Sequence, residues 1–218
     1  MKIGYPKYLL GANSCEGFVS YFGESFNRAD GWRALIIKGG PGTGKSTFMK
    51  KIAEKAVNSG LEAELCVCSS DPQSLDGVII KDKKTVILDG TAPHVVEPIY
   101  PGACEEIVNL GEFWRGEDMR KNASEIISST NKNQKLHKTA SGYIQAAGEL
   151  ICDNLKLSSS YTDLNSAEQF GKRIAQKLFV KKKNFKPYEW VRFIGGISPQ
   201  GIEAYADTVE NFYKNIII

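Results

Sequence analysis

No stretch of the chain is apolar for anything like the roughly 20 residues that a bilayer span requires, and Met1-Lys2-Ile3-Gly4-Tyr5-Pro6 holds no apolar signal core. The expectation is a soluble, cytoplasmic protein with no membrane partner. A surplus of one charge is also missing. The 28 basic and 25 acidic residues leave a net +3, too balanced to argue for a nucleic-acid surface or a polybasic anchor. Cysteine is sparse and odd in number. Cys15, Cys66, Cys68, Cys104 and Cys152 lack the paired spacing of a zinc knuckle or a disulfide scaffold, so reduced thiols are predicted. Cys66 and Cys68 lie two apart in a predicted strand and share a face there. A metal or redox pair is one reading of them, and burial as small apolar side chains is the better one.

With 218 residues and 42% apolar composition, the chain is long enough for one good core and short for two complete domains. Asn13 or Ser14 caps a predicted helix from about Asn13 to Phe26, bearing Phe18, Val19, Tyr21 and Phe22. Arg33 to Lys38 is a short apolar run ending at glycines, which fits a buried parallel strand. From Ser46 to Asn58, Phe48, Met49, Ile52, Ala53, Ala56 and Val57 recur at helical spacing before Gly60. Ala63 to Cys68 and Thr85 to Leu88 read as second and third strands, so strand, helix, strand predicts a parallel crossover. Residues 103–157 turn polar and helical, with two or three helices expected. Another helix spans about Ser166 to Phe179, ahead of a solvated Lys181-Lys182-Lys183 end.

Gly39-Gly40-Pro41-Gly42-Thr43-Gly44-Lys45-Ser46 satisfies G-x-x-x-x-G-K-[ST] between a predicted strand and a predicted helix, the context that the phosphate-binding motif requires. Glycines let successive amides wrap phosphate oxygens, and the helix start adds unpaired donors with a positive dipole end. Lys45 supplies a point charge for the β and γ phosphates, Ser46 can ligate Mg2+, and Thr47 is placed at the α phosphate. Asp89, after Thr85-Val86-Ile87-Leu88, is the candidate magnesium carboxylate, or else caps the next turn through Gly90. No Glu follows it, so fast hydrolysis is not assumed. Asp71, in Cys68-Ser69-Ser70-Asp71-Pro72, is a candidate to orient a water or a substrate hydroxyl, or is ordinary turn chemistry. His94 is a candidate sensor of the γ phosphate or polar loop surface, and Glu97 is a weaker candidate.

These segments, with Gln73-Ser74-Leu75-Asp76-Gly77 and Asp89-Gly90-Thr91-Ala92-Pro93-His94, resemble a bacterial family of poorly characterised P-loop ATPases whose longer members look like two fused P-loop halves. The resemblance implies a P-loop fold and ATP binding over nearly the whole chain, and little about physiological role. From the residues and the resemblance together, the expected fold is a three-layer α/β P-loop NTPase sandwich with a parallel sheet and a helical extension. The expected activity is that of an Mg-dependent ATPase or nucleotide switch. A nucleotide-kinase-like phosphotransferase is the alternative, disfavoured because the plausible mobile segment carries only Arg115 and Arg120. A non-catalytic half that pairs with another subunit is the third reading.

A partial repeat closes the chain. Phe193 to Tyr205 tracks Leu9 to Tyr21, and Asn215-Ile216-Ile217-Ile218 tracks Ala34-Leu35-Ile36-Ile37. The expected organisation is therefore a P-loop domain over residues 1–186, with its helical part at about 103–180, and the start of a second, truncated repeat over 187–218. A second P-loop half or self-association would then be the partner. The alternative is coincidence between two short helix-then-strand segments.

Overall fold

The computed structural model describes residues 5–178 and 190–208. In chain order, strands β1 (Lys7–Tyr8), β2 (Gly11–Ser14), β3 (Gly17–Ser20) and β4 (Arg33–Lys38) lead into helix α1 (Lys45–Asn58). Strands β5 (Glu64–Val67), β6 (Leu75–Ile80), β7 (Thr85–Asp89) and β8 (Glu105–Asn109) follow. Helices α2 (Gly116–Lys121), α3 (Ala123–Ser160) and α4 (Leu164–Leu178) come next, and then strands β9 (Gly195–Ser198) and β10 (Gly201–Ala204). The central sheet has the order β1-β5-β6-β7-β4-β8. Among the described residues of this sheet, β6 alone pairs antiparallel to its neighbours, so the architecture is mixed α/β with a mostly parallel sheet.

Strand alternation sorts the core into two layers. Ala34, Ile36, Cys66, Ile79, Val86 and Leu88 face a cluster completed by Leu10, Phe22, Phe26 and Trp32. Leu35, Ile37, Val67, Val78, Ile80 and Ile87 face the other side, where Met49, Ala53 and Ala56 of α1 cover them. One face is thus packed by a helix and the other by Leu10 and aromatic residues from the turns that follow the hairpin.

The β4–α1–β5 crossover is parallel as expected, with β7 and β6 lying between its two strands. Three features depart from the sequence reading. Strand β6 escapes a sequence reading because Asp76-Gly77 resembles a turn. Its Gly77 is in fact a packing position, where a Cβ would lie 3.1 Å from Ile87 O and 3.4 Å from Cys66 Cβ. Glu105–Asn109, expected to be helical, is the edge strand β8, in register with Ala34 to Lys38. The helix expected over Asn13 to Phe26 is instead the β2–β3 hairpin followed by a 3-10 turn, Phe22–Glu24. Gly17 takes φ 106° at its turn, a conformation that favours glycine and ends a helix. Gly11 meanwhile leaves room for the Phe18 ring, which lies 2.3 Å from where a Cβ would stand.

The repeat folds twice as one hairpin. Ser14 pairs with Gly17 and Gly11 with Ser20; 184 residues later Ser198 pairs with Gly201 and Gly195 with Ala204. In each turn the serine Oγ accepts the backbone N–H two residues on, from Glu16 at 3.1 Å and from Gln200 at 3.0 Å. The equivalent residues Leu9 and Phe193 exchange backbone hydrogen bonds of 2.9 and 3.0 Å, so a local two-fold relates the hairpins. The reading as helix-then-strand segments is corrected for this part. The further match at 215–218, the Lys181-Lys182-Lys183 run and the C-terminal isoleucines lie outside the described residues.

The helical extension begins at α2. Helix α3, at 38 residues, is about 57 Å long at 1.5 Å per residue, and it takes the place of several shorter helices. It meets the hairpin turn at Gly148, where a Cβ would stand 2.2 Å from Cys15 Cβ. No residue of α3 or α4 is buried. Among the described residues, no helix is long and apolar enough to cross a membrane.

Candidate functional site

The loop between β4 and α1 takes its shape from local backbone demands. Gly39, Gly42 and Gly44 adopt φ of 154°, 80° and 84°, angles that L side chains rarely adopt. Thr43 Oγ1 donates to Gly40 O at 2.9 Å and tightens the bend. Helix α1 begins at Lys45, which leaves its first amides without helical partners at the loop. Lys45 Nζ turns back to donate to Gly39 O and Gly40 O at 2.8 and 3.1 Å.

Neighbouring strands bring the acidic groups. Because β7 pairs with β4, Asp89 reaches the loop, and its Oδ2 stands 3.6 Å from Lys45 Nζ with both side chains nearly buried. Its Oδ1 accepts Thr91 N and Thr91 Oγ1 at 2.9 and 2.6 Å. The carboxylate therefore caps the turn with one oxygen and faces the lysine with the other. Ser46 Oγ accepts Leu75 N at 2.9 Å and ties α1 to the start of β6. Thr47 is exposed on the first turn of α1. The Ser46 hydroxyl and the Asp89 carboxylate are oxygen donors of the kind a hard divalent cation takes.

His94 and Asp76 make a second, buried pair, with His94 Nε2 3.2 Å from Asp76 Oδ2. Asp76 escapes a sequence reading, although an acid at the head of the apolar run Gly77–Ile80 was the available signal. Burial pushes its carboxyl up to about 7, against the Cys68 thiol that bonds it, and nearby Asp89 adds to the rise. Burial also pushes His94 down to about 4. His94 packs on Phe22 with ring centroids 4.3 Å apart, and its Nδ1 is buried without a hydrogen bond. The thiols of Cys66 and Cys68 are each pushed up to about 12, mainly by burial, so both are protonated at neutral pH.

Other candidates sit elsewhere. Asp71 is exposed and holds the turn before β6, accepting Gln73 N at 3.0 Å and Ser74 Oγ at 2.6 Å. Glu97 pairs with Lys38, whose Nζ also donates to Gly90 O and Val96 O at 2.8 Å. Lys45, Ser46 and Asp89 are thus gathered at the loop, His94 joins Asp76, and Asp71 and Glu97 serve turn and loop structure. Two open hollows, one between Cys15 and Cys152 and one beside Arg28 and Tyr100, do not border the loop. Comparison of the chain with family models, curated proteins and solved structures returns no match.

Proposed function

We propose that this is an ATP-binding P-loop protein of three-layer type, working as an Mg-dependent nucleotide switch or slow ATPase. The reading rests on one observation above all. A glycine loop feeds a helix N-terminus and carries an ammonium on its own carbonyls, 3.6 Å from a carboxylate on the adjacent strand. Loop amides would hold the β and γ phosphate oxygens, and Lys45 would exchange carbonyl partners for phosphate. Ser46 and Asp89 would hold Mg2+, which when bound neutralises charge on those oxygens. In hydrolysis a water oxygen bonds to the γ phosphorus, the β–γ bridging bond breaks, and the water proton is released with ADP and phosphate.

A switch is favoured over a fast enzyme by Gly90. A Cβ there would lie 2.4 Å from Ile36 Cγ2 and 3.1 Å from Val96 O, so packing excludes the water-activating Glu that often follows such an aspartate. The phosphotransferase alternative lacks an arginine clamp among the described residues, since the Arg115 side chain is 90% exposed and reaches only Asp118, at 4.0 Å. The duplicated hairpin supports a second P-loop unit opening at 187–218, with that unit as the natural partner. Incubation with γ-labelled ATP, with and without nucleoside monophosphates, tests the assignment. Binding with slow phosphate release is expected; label transfer to a monophosphate would favour the kinase reading, and absence of nucleotide binding would end the proposal.

A further inference from the structure

Gly40 is the loop glycine whose identity its backbone does not require, since its φ lies outside the left-handed range that Gly39, Gly42 and Gly44 occupy. Its neighbour explains it. A Cβ at position 40 would stand 2.7 and 2.8 Å from Cζ2 and Cη2 of Trp114, so the indole lies directly against the loop backbone. A Cβ at Gly111 would lie 3.9 Å from Cε3 and Cζ3 of the same ring.

The placement follows from the sheet. Strand β8 pairs with β4 so that Asn109 is level with Lys38, the last residue before the loop. The chain then makes a 3-10 turn, Leu110–Phe113, capped by Asn109 Oδ1 accepting Gly111 N at 2.9 Å. Trp114 N donates to Gly111 O at 3.1 Å and closes the turn with the ring over the loop. Trp114 is 42% exposed. Lys45 Nζ sits on the carbonyls of Gly39 and Gly40, and a lysine at this position serves the β and γ phosphates. Trp114 therefore borders the terminal-phosphate end. Two residues later α2 begins, and the helical arm follows.

We infer that Trp114 is a wall of the phosphate site, one that distinguishes nucleoside triphosphate from diphosphate and passes the difference to the helical arm. The inference deepens the nucleotide-binding reading and rests on it. A γ phosphate entering beside Gly40 meets the indole and moves it, whereas a diphosphate leaves it in place. Only Arg115 separates the ring from α2, so that segment absorbs the displacement. Differential contact of this kind is what shifts a two-state element.

Tryptophan emission of the full chain reads this directly. Trp32 and Trp190 form a separate edge-on pair with centroids 5.1 Å apart, so Trp114→Phe isolates the third indole. A non-hydrolysable β,γ-imido triphosphate with Mg2+ is expected to change the emission, the diphosphate to change it much less, and Trp114→Phe to lose the difference. By calorimetry the ratio of triphosphate to diphosphate affinity should fall by about fivefold or more in Trp114→Phe and in Gly40→Ala, which pushes the ring away. Hydrogen exchange over 111–121 should differ between the two nucleotides. If both nucleotides bind while emission, affinity ratio and exchange are indifferent to the γ phosphate, the inference fails and the nucleotide reading stands. If neither nucleotide binds, both fail.

Discussion

The sheet body and the helical arm treat apolar residues in opposite ways. In the body, β4, β6 and β7 bury Ile36, Ile37, Val78, Ile79, Val86 and Leu88 almost completely between two layers. In the arm, Ile127, Leu136, Leu150, Leu155, Leu164 and Phe170 remain exposed on α3 and α4. Periodicity alone therefore makes an element without making it part of a core. A helix face lowers the folding free energy only where a second layer covers it. The body holds both the buried core and the proposed nucleotide site, and the arm joins it through the hairpin turn at Gly148 and the segment that carries Trp114.

Six substitutions probe that contrast. The largest effect is expected at the loop: Lys45→Ala should cost about 2–5 kcal/mol in ATP binding, the range for a buried hydrogen-bonded charge contact. Lys156→Ala, which removes an exposed arm pair with Asp153, should leave affinity unchanged by calorimetry. Equal losses would erase the division of labour.

Stability should divide the same way. Ile36→Ala opens a cavity in a fully buried site and should cost about 2–5 kcal/mol in urea unfolding. Leu155→Ala, at an exposed arm position, should stay within about 0.5 kcal/mol. A large loss at Leu155 would mean that the arm is covered in solution.

A smaller effect is expected at Asp89. Asp89→Asn keeps the turn bond to Thr91 and removes the charge that faces Lys45, so the Mg2+ concentration needed for tight ATP binding should rise. An identical magnesium titration in both proteins would remove Asp89 from the site.

The smallest effect concerns pH. The folded state binds a proton at Asp76 more tightly than the unfolded chain does, because burial raises this carboxyl from 3.8 to about 7; its contribution is lost as pH rises through that range. His94 is lowered from 6.5 to about 4, so its contribution is present above 6.5 and lost as pH falls to about 4. Between roughly 4 and 6.5 the two slopes oppose each other. Asp76→Asn removes the first, so the variant should lose more stability than the parent as pH falls across that window in urea titrations. Parallel pH profiles would show that the pair does not titrate with folding.

Legibility followed the range of the forces involved. Arg33–Lys38 as a strand, the glycine loop and the helix after it were readable because capping, backbone angle and apolar period are local. The type of the arm was readable too, and the helix expected from about Ser166 corresponds to α4; the continuity of α3 as one 38-residue helix was not readable. Strand β6 was hidden because Asp76-Gly77 imitates a turn, and β8 because Glu105-Glu106-Ile107-Val108-Asn109 has too few apolar residues to announce an edge strand. The hairpin was hidden because Phe18, Val19, Tyr21 and Phe22 suit a helix face until Gly11 and Gly17 are given their conformational weight.

By itself the sequence determined a glycine loop between strand and helix, since each of those features needs only its near neighbours. The tertiary structure alone decided what surrounds that loop. Asp89 meets Lys45, Asp76 holds His94 and Trp114 covers Gly40 because sheet order and register bring together segments distant in sequence. Short-range backbone energetics carry no information about that order; it is set by which apolar faces can be buried against each other.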